Sequence, residues 1–167
     1  ILSELGARVI KVERPTTGDY ARGWGPPFLG EDATAFHALN RGKESLTLDF
    51  SDPDQRAVLL RLIYESDAVI QNLRPGLLSK FGVTLDEVRA RKPELIWCDI
   101  GAFGKSGPLS RKPGYDPLAQ ASSGIMSITG EADRPPVRVG VSLVDMGSGM
   151  WTVIGLLSAL IERNKTG

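Results

Sequence analysis

The residue of this chain best suited to do chemistry is an aspartate that begins an apolar segment. Asp145 lies in the sequence Ser-Leu-Val-Asp-Met-Gly-Ser-Gly-Met, so Gly147 and Gly149 follow it closely. A carboxylate can attack a thioester and form an acyl anhydride, which divides one transfer into two easier steps. The positive end of a helix and free glycine N–H groups would stabilise the negative charge that develops. The same position suits a helix N-cap, so nucleophile and cap are alternatives at this point.

Basic residues form a second group. Arg14, Arg41, Lys43, Arg74 and Lys80 lie in loops that follow predicted strands or in the turns after them. Ligands of parallel sheets bind outside the carboxyl ends of the strands, and basic side chains there suit a ligand that carries phosphate. Solvated surface charge is the alternative, because most lysines and arginines are exposed. The first predicted strand is not followed by a Gly-x-Gly-x-x-Gly sequence, and the chain has no Walker loop.

The sequence Gly114-Tyr115-Asp116 precedes a predicted helix. Asp116 is suited to cap a turn or helix end there, while the functional alternative places Tyr115 beside a reacting centre. Cys98 lies in a predicted strand and His37 has no obvious partner. We interpret both of these as structural residues.

The composition excludes several classes of protein. The 167 residues carry 20 basic and 20 acidic side chains, which argues against a nucleic-acid coat or a polybasic membrane anchor. One cysteine and one histidine exclude a disulfide framework and a multi-histidine site, so no metal is expected. The longest apolar stretch, 150–161, is shorter than the roughly 20 residues that span a bilayer. The lone cysteine and near-neutral charge indicate a cytoplasmic setting.

Strands and helices alternate at short spacing, which predicts an α/β fold with a parallel sheet and helices on both faces. The segments 15–30 and 101–117 are rich in glycine and proline and are predicted to be ordered loops without elements. The chain begins with the end of a helix and stops just after another, so we expect a fragment truncated at both termini. The predicted strands are 7–13, 45–50, 67–72 and 94–100, with an extended piece at 137–141, and the predicted helices are 34–39, 53–65, a short one ending at 81, 84–91, 118–126 and 144–163.

Short motifs in a fixed order give the chain a resemblance to a known family. They are Leu-Gly-Ala-Arg-Val-Ile-Lys-Val-Glu-Arg-Pro, Asn40-Arg41-Gly42-Lys43, Asn72-Leu73-Arg74-Pro75-Gly76, Phe103-Gly104-Lys105-Ser106-Gly107-Pro108, Gly114-Tyr115-Asp116 and the segment from Asp145 to Gly149. Each is weak alone, but together they make the chain resemble the class III CoA-transferase family, also called the CaiB/BaiF family, over essentially its whole length.

The resemblance implies that residues 1–167 form part of a Rossmann-like large domain that binds coenzyme A, in an interlocked homodimer. It implies a catalytic aspartate that passes through aspartyl-anhydride and aspartyl-CoA stages, and Asp145 matches this residue by its glycine-rich context. The implied substrates are an acyl-CoA and a free carboxylic acid, with a dicarboxylate such as succinate as the favoured acceptor. The residues implied to hold CoA are Arg14, Leu48, Asn72, Leu73 and Lys80, while Tyr115, Gly147 and Gly149 would lie near the substrate.

Three alternatives remain at this stage, one of which is a stretch without a function of its own whose exposed apolar faces need the rest of the protein. The related 2-methylacyl-CoA racemases carry a histidine where this chain has Tyr115, and an unperturbed phenol has a pKa near ~10, so the resemblance favours acyl transfer over racemisation. A CoA-binding module without turnover, in which Asp145 is only a cap, is the second alternative. Gly101 stands where some family members carry a lysine in the CoA site. The resemblance also implies that a first strand and helix, and a small domain with a glycine-rich loop, lie outside this chain.

Overall fold

The structure, a computed structural model, describes residues 1–167 and confirms the α/β class. The chain divides into two compact units, Ile1–Leu62 and Ile63–Gly167. The helices are α1 (Thr34–Asn40), α2 (Pro53–Glu65), α3 (Leu77–Lys80), α4 (Leu85–Arg91), α5 (Asp116–Ser122) and α6 (Leu143–Thr166). The strands are β1 (Val9–Glu13), β2 (Phe28–Leu29), β3 (Asp32–Ala33), β4 (Lys43–Thr47), β5 (Ala68–Gln71) and β6 (Ile96–Asp99), and single 3-10 turns lie at Ser3–Leu5, Tyr20–Gly23 and Ile125–Ile128.

The first unit is built on the parallel pair β1–β4, whose register runs from Val9 opposite Lys43 to Glu13 opposite Thr47. A parallel pair needs a crossover connection, and the segment between these strands supplies it with the short hairpin β2–β3 and helix α1. The apolar core of this unit consists of Ala33, Phe36, Leu48 and Leu59.

A buried carboxylate orders the crossover. Glu13 accepts hydrogen bonds from both Nε and Nη2 of Arg22 at 3.0 Å, from the Ser45 hydroxyl at 2.8 Å and from the Asp19 N–H at 2.8 Å. These donors, Arg22 first, lower the pKa of Glu13 to about 2. Arg22 also donates to Asp32 at 2.8 Å. The segment 15–30 is therefore ordered as predicted, but the expectation that it lacks elements is wrong, because the Glu13–Arg22 pair holds a 3-10 turn and β2 in place.

The second unit is built on the parallel pair β5–β6, from Ala68 opposite Ile96 to Gln71 opposite Asp99. Lys92, at the end of α4, donates to the carbonyl oxygens of Tyr64 at 2.8 Å and Ser66 at 2.7 Å, which fixes α4 beneath the start of β5. The buried apolar residues of the second unit are Ile63, Val83, Val88, Leu95 and Leu156.

Most predicted elements are confirmed, and the deviations have local causes. The strand predicted at 45–50 lies at Lys43–Thr47, because the Asp49 carboxylate accepts the Ser51 N–H at 2.9 Å and turns the chain toward α2. The helix predicted at 118–126 is α5, which starts at Asp116 with a proline in its first turn and ends before Gly124 at φ 83°. The extended piece at 137–141 pairs with no strand.

The helix α6 is mostly exposed, and Leu156 is its one buried residue. It has 24 residues and contains an 18-residue window with a mean hydropathy of 1.5, so it is long and apolar enough to cross a membrane by length and composition. The apolar stretch is longer than the expected 150–161, because the apolar part of this helix begins before residue 150, whereas residues 162–165 at its other end are polar. One such helix is weak evidence for a membrane span.

Candidate active site

Asp145 lies in the first turn of α6, three residues after the N-cap residue Ser142. Its side chain is exposed, and its carboxylate makes no hydrogen bond or ion pair. Partial loss of water around this carboxylate raises its pKa above the ordinary value, and the negative charge of Asp116 adds to the rise. A free carboxylate that is more basic than usual is suited to nucleophilic attack.

The N-terminus of α6 is capped by a residue from a different helix. Oδ1 of Asp116 accepts hydrogen bonds from the backbone N–H groups of Val144 at 2.8 Å and Asp145 at 3.3 Å. Asp116 is only 3% exposed. The alternative that Asp145 is an N-cap is therefore wrong, because Ser142 occupies that position and Asp116 binds the amides that an N-cap side chain would bind.

Gln120 holds the capping carboxylate from behind. It is fully buried, and its Nε2 donates to Oδ2 of Asp116 at 2.7 Å and to the Val141 carbonyl at 3.3 Å. Its Oε1 accepts the Val139 N–H at 2.9 Å. One glutamine thus ties α5 to the segment that leads into α6. Sequence reasoning missed this pair, although residues four apart on a helix lie on one face.

Gly147 and Gly149 lie within α6, so their N–H groups donate along the helix and are not free. A Cβ at either position would meet no atom within 4 Å. The expectation that these glycines supply free N–H groups is wrong, because both lie inside the helix. They do leave open space on the turn that carries Asp145.

Tyr115 directly precedes Asp116 and is 71% exposed, and it does not cap α5 with its side chain. Gly114 fits a close approach, since a Cβ there would lie 2.2 Å from the Cβ of Ala102. In the Gly114-Tyr115-Asp116 sequence, the glycine therefore serves loop packing and the aspartate serves α6. The tyrosine is left pointing into open solvent.

In the first unit, two predicted CoA-binding residues follow the carboxyl ends of neighbouring strands. Glu13 pairs with Thr47 at the end of the ladder, so Arg14 and Leu48 come next on the two strands. The Arg14 guanidinium stacks over the ring of Tyr20 at 4.0 Å and donates to its hydroxyl at 2.9 Å. Leu48 is buried and offers little surface to a ligand.

Two of the five basic residues lie at the amino ends of the β1–β4 pair, opposite to the carboxyl ends that Arg14 and Leu48 follow. Lys43 pairs with Val9, the first residue of β1, so Arg41 and Lys43 stand at the amino end of β4. The prediction that they follow strands is wrong, because β4 begins at Lys43. Arg41 pairs with Glu4, and Lys43 donates to Oδ1 of Asn40 at 2.9 Å.

In the second unit, a small cleft of about 130 Å³ lies at the carboxyl ends of β5 and β6. Arg74 lines it, Asn72 and Leu73 belong to the turn before Arg74, and Lys80 is the last residue of α3. Pockets for whole small ligands measure roughly 300–1,000 Å³. This cleft therefore fits only part of a ligand.

Asp99, in the wall of this cleft, is a second residue that sequence reasoning missed. Its carboxylate accepts hydrogen bonds from Gln71 and from the indole N–H of Trp97 at 2.7 Å, and it pairs with Lys105 at 2.9 Å. These donors lower its pKa against the opposing effect of burial. The available signal was the spacing of Trp97 and Asp99, because residues two apart on a strand face the same side.

Comparisons with known proteins agree with this architecture. The family model described as CoA-transferase family III matches residues 1–167. Human succinyl-CoA:glutarate CoA-transferase is 40% identical over 166 residues, which cover 99% of this chain and 38% of that relative. Acetyl-CoA:oxalate CoA-transferase of Acetobacter aceti is 42% identical over 168 residues, which cover 100% of this chain and 43% of that relative. A crystal structure of a CaiB/BaiF family protein from Brucella suis superimposes with a TM-score of 0.94 at 46% identity, over 99% of this chain and 45% of that one.

The chain belongs to CoA-transferase family III. It spans about two fifths of the length of the curated relatives it matches.

Proposed function

We propose that the protein moves CoA from an acyl-CoA donor to a free carboxylic acid, with Asp145 as the covalent carrier. The observation that carries this proposal is the carboxylate of Asp145, which is exposed and unpartnered at the start of α6. The helix amides beside it are bound by Asp116, so they do not hold Asp145 in a capping role. Family membership supports the reaction class.

The reaction balances as four displacements at acyl carbons. An oxygen of Asp145 attacks the donor thioester, the C–S bond breaks, and an aspartyl anhydride and a CoA thiolate form. The thiolate attacks the aspartyl carbonyl and releases the donor's carboxylate, which leaves an aspartyl-CoA thioester. The acceptor carboxylate attacks this thioester, which forms an anhydride between Asp145 and the acceptor and again releases the thiolate. The thiolate then attacks the acceptor's acyl carbon, which yields the new acyl-CoA and free Asp145.

We propose that CoA is held by Arg14, Leu48, Asn72, Leu73 and Lys80. Support comes from the position of Arg14 and Leu48 just after β1 and β4, and from the cleft after β5. Cationic side chains at such strand ends suit the phosphates of CoA. Tyr115 and the open turn at Gly147 and Gly149 would face the acyl group.

A dicarboxylate is the acceptor class we propose. Relatives that match this chain are named for glutarate, oxalate and D-citramalate as CoA acceptors or donors, and several are named for succinyl-CoA. We further propose that the protein works as an interlocked homodimer in the cytoplasm. Size-exclusion chromatography with light scattering tests the dimer.

Mass spectrometry of the intact protein after incubation with succinyl-CoA tests the covalent step. A neutral hydroxylamine quench converts an activated aspartate to a hydroxamate, and peptide mapping locates it. We expect the label at Asp145 and its loss in Asp145→Asn, while the matched control Glu131→Gln, at an exposed surface position, keeps it. A folded protein that binds CoA and takes no label would contradict the proposal and favour a binding module.

A further inference from the structure

Beyond the nucleophile itself, the structure contains a residue that fixes the nucleophile's position. We propose that Asp116 is the positioning residue of Asp145, and that it acts through the backbone of the first turn of α6 while Gln120 holds it in place. This inference rests on the proposed function of Asp145 as the covalent carrier. It adds a residue 29 positions away in the sequence.

The hydrogen bonds divide cleanly between the two oxygens of Asp116. Oδ1 binds the N–H groups of Val144 and Asp145, and Oδ2 binds Nε2 of Gln120. Both Asp116 and Gln120 are buried, and Gln120 is itself fixed by the backbone of Val139. The backbone amide of the nucleophile is therefore held by a side chain that has little freedom to move.

The same contacts keep the carboxylate of Asp145 free. An acidic side chain in the first turn of a helix is ordinarily attracted to the unpaired N–H groups there. Asp116 takes these groups instead, so Asp145 keeps its oxygens for a substrate. The negative charge of Asp116 also raises the pKa of Asp145, after the larger effect of the partial loss of water around this exposed carboxylate.

The other charged groups on the elements next to Asp145 either interact with other residues or lie far from it. Asp116 is the only charged residue of α5. Asp99, on β6, is paired with Lys105, and Arg138 bonds its own segment at Val139. On α6 the next charged residue, Glu162, lies 17 positions along the helix, which at 1.5 Å per residue is about 25 Å. Titration of Asp145 should therefore respond to Asp116 before any other group.

Two variants of the full-length protein test the inference. Asp116→Asn keeps an oxygen for the α6 amides but removes the charge and sets an NH₂ group against Gln120. The double variant Asp116→Asn with Gln120→Glu restores the hydrogen bond between the two side chains with its polarity reversed and moves the charge away from α6, but it loses the bond to the Val141 carbonyl. Glu131→Gln is the matched control. The rate of Asp145 labelling by succinyl-CoA is measured at a series of pH values, each sample being quenched in neutral hydroxylamine, and CoA affinity is measured by calorimetry.

We expect Asp116→Asn to slow labelling by about 10²-fold, since small misplacements of a reacting group cost that much. CoA affinity should stay unchanged. The acid limb of the rate should move to lower pH, because the like charge beside Asp145 is gone. The double variant should recover at least about tenfold of the loss, and Glu131→Gln should match the unaltered protein.

Distinct results overturn the inference and the proposed function. An unaltered protein that takes no label overturns both. A labelled protein whose Asp116→Asn variant keeps its rate and its acid limb overturns the inference alone, as does a slow variant with an unmoved limb and no rescue in the double variant. If neither variant folds, the acid side of the pH–rate profile of the unaltered protein decides. A midpoint of that fall in labelling rate at or below the ordinary aspartate pKa of 3.8 counts against the inference.

Discussion

Two carboxylates at the ends of secondary-structure elements behave in opposite ways. Glu13, the last residue of β1, is buried and receives hydrogen bonds from Arg22, Ser45 and the backbone of Asp19. Asp145, at the start of α6, is exposed and receives none. The pKa of Glu13 is lowered to about 2, whereas that of Asp145 is raised.

The contrast shows how a fold separates structural from reactive groups of the same chemical type. Donors stabilise the charged form of Glu13, and a carboxylate stabilised in this way is a weak nucleophile. At Asp145 the available donors are the first amides of α6, and Asp116 removes them from competition. The chain thus uses one buried aspartate to leave another one free.

The largest effect that the comparison predicts is on turnover. Asp145→Asn removes the attacking oxygen, so CoA transfer should fall by about 10³-fold or more. The melting temperature should stay the same or rise slightly, because the variant removes repulsion from Asp116 and no hydrogen bond. Steady-state kinetics and a thermal melt on one preparation check both parts. A substantial loss of stability would show that Asp145 is a structural residue after all.

Glu13→Gln should have the reverse profile, with a large loss of stability. The partly buried Arg22 would lose its main anionic partner, and we expect the free energy of unfolding to fall by about 2–4 kcal/mol. Urea denaturation provides the measurement. Glu44→Gln is the control, since Glu44 makes a bidentate pair with Arg8 that is exposed to solvent, and such pairs contribute little. Equal effects of the two variants would break the comparison.

The pH dependence of stability should carry the signature of Glu13. Its folded pKa is depressed from 4.5 to about 2, so its contribution is fully present above the unfolded pKa and is lost as the pH falls toward 2. The shift corresponds to about 3 kcal/mol. Urea midpoints between pH 6 and 2 should therefore fall more steeply in the unaltered protein than in Glu13→Gln. Parallel curves would mean that another group dominates the acid limb.

The elements with local signals were predictable from the sequence. The helix α2 has the predicted bounds, because Asp52 accepts the Asp54 N–H at 2.9 Å and Pro53 fits a first turn. Thr84 accepts the Glu87 N–H, as its capping-box position indicates. In contrast, β2 and the turn before it depend on Glu13 and Arg22, whose side chains meet only in the folded chain.

The same difference between local signals and contacts of distant residues holds for the candidate site. Asp145 was found through its glycine-rich context and a family resemblance. The residue that caps its helix was not predicted, because Asp116 and Val144 are 28 residues apart and the sequence between them gives no sign that they meet. The resemblance placed Tyr115 near the reaction, but it did not assign a role to the aspartate beside it.

The smallest effect is expected at Asp99. It tests whether Glu13 and Asp145 are the two extremes of a continuous range in how much a carboxylate contributes to stability. It has three partner residues, as Glu13 does, but its charged partner Lys105 is 79% exposed. Asp99→Asn keeps an acceptor for Trp97, so we expect a loss of about 1 kcal/mol in the free energy of unfolding. The loss should lie between the effects of Glu13→Gln and Asp145→Asn, as measured by urea denaturation. If Asp99→Asn costs as much as Glu13→Gln, the number of partners governs stability rather than their burial.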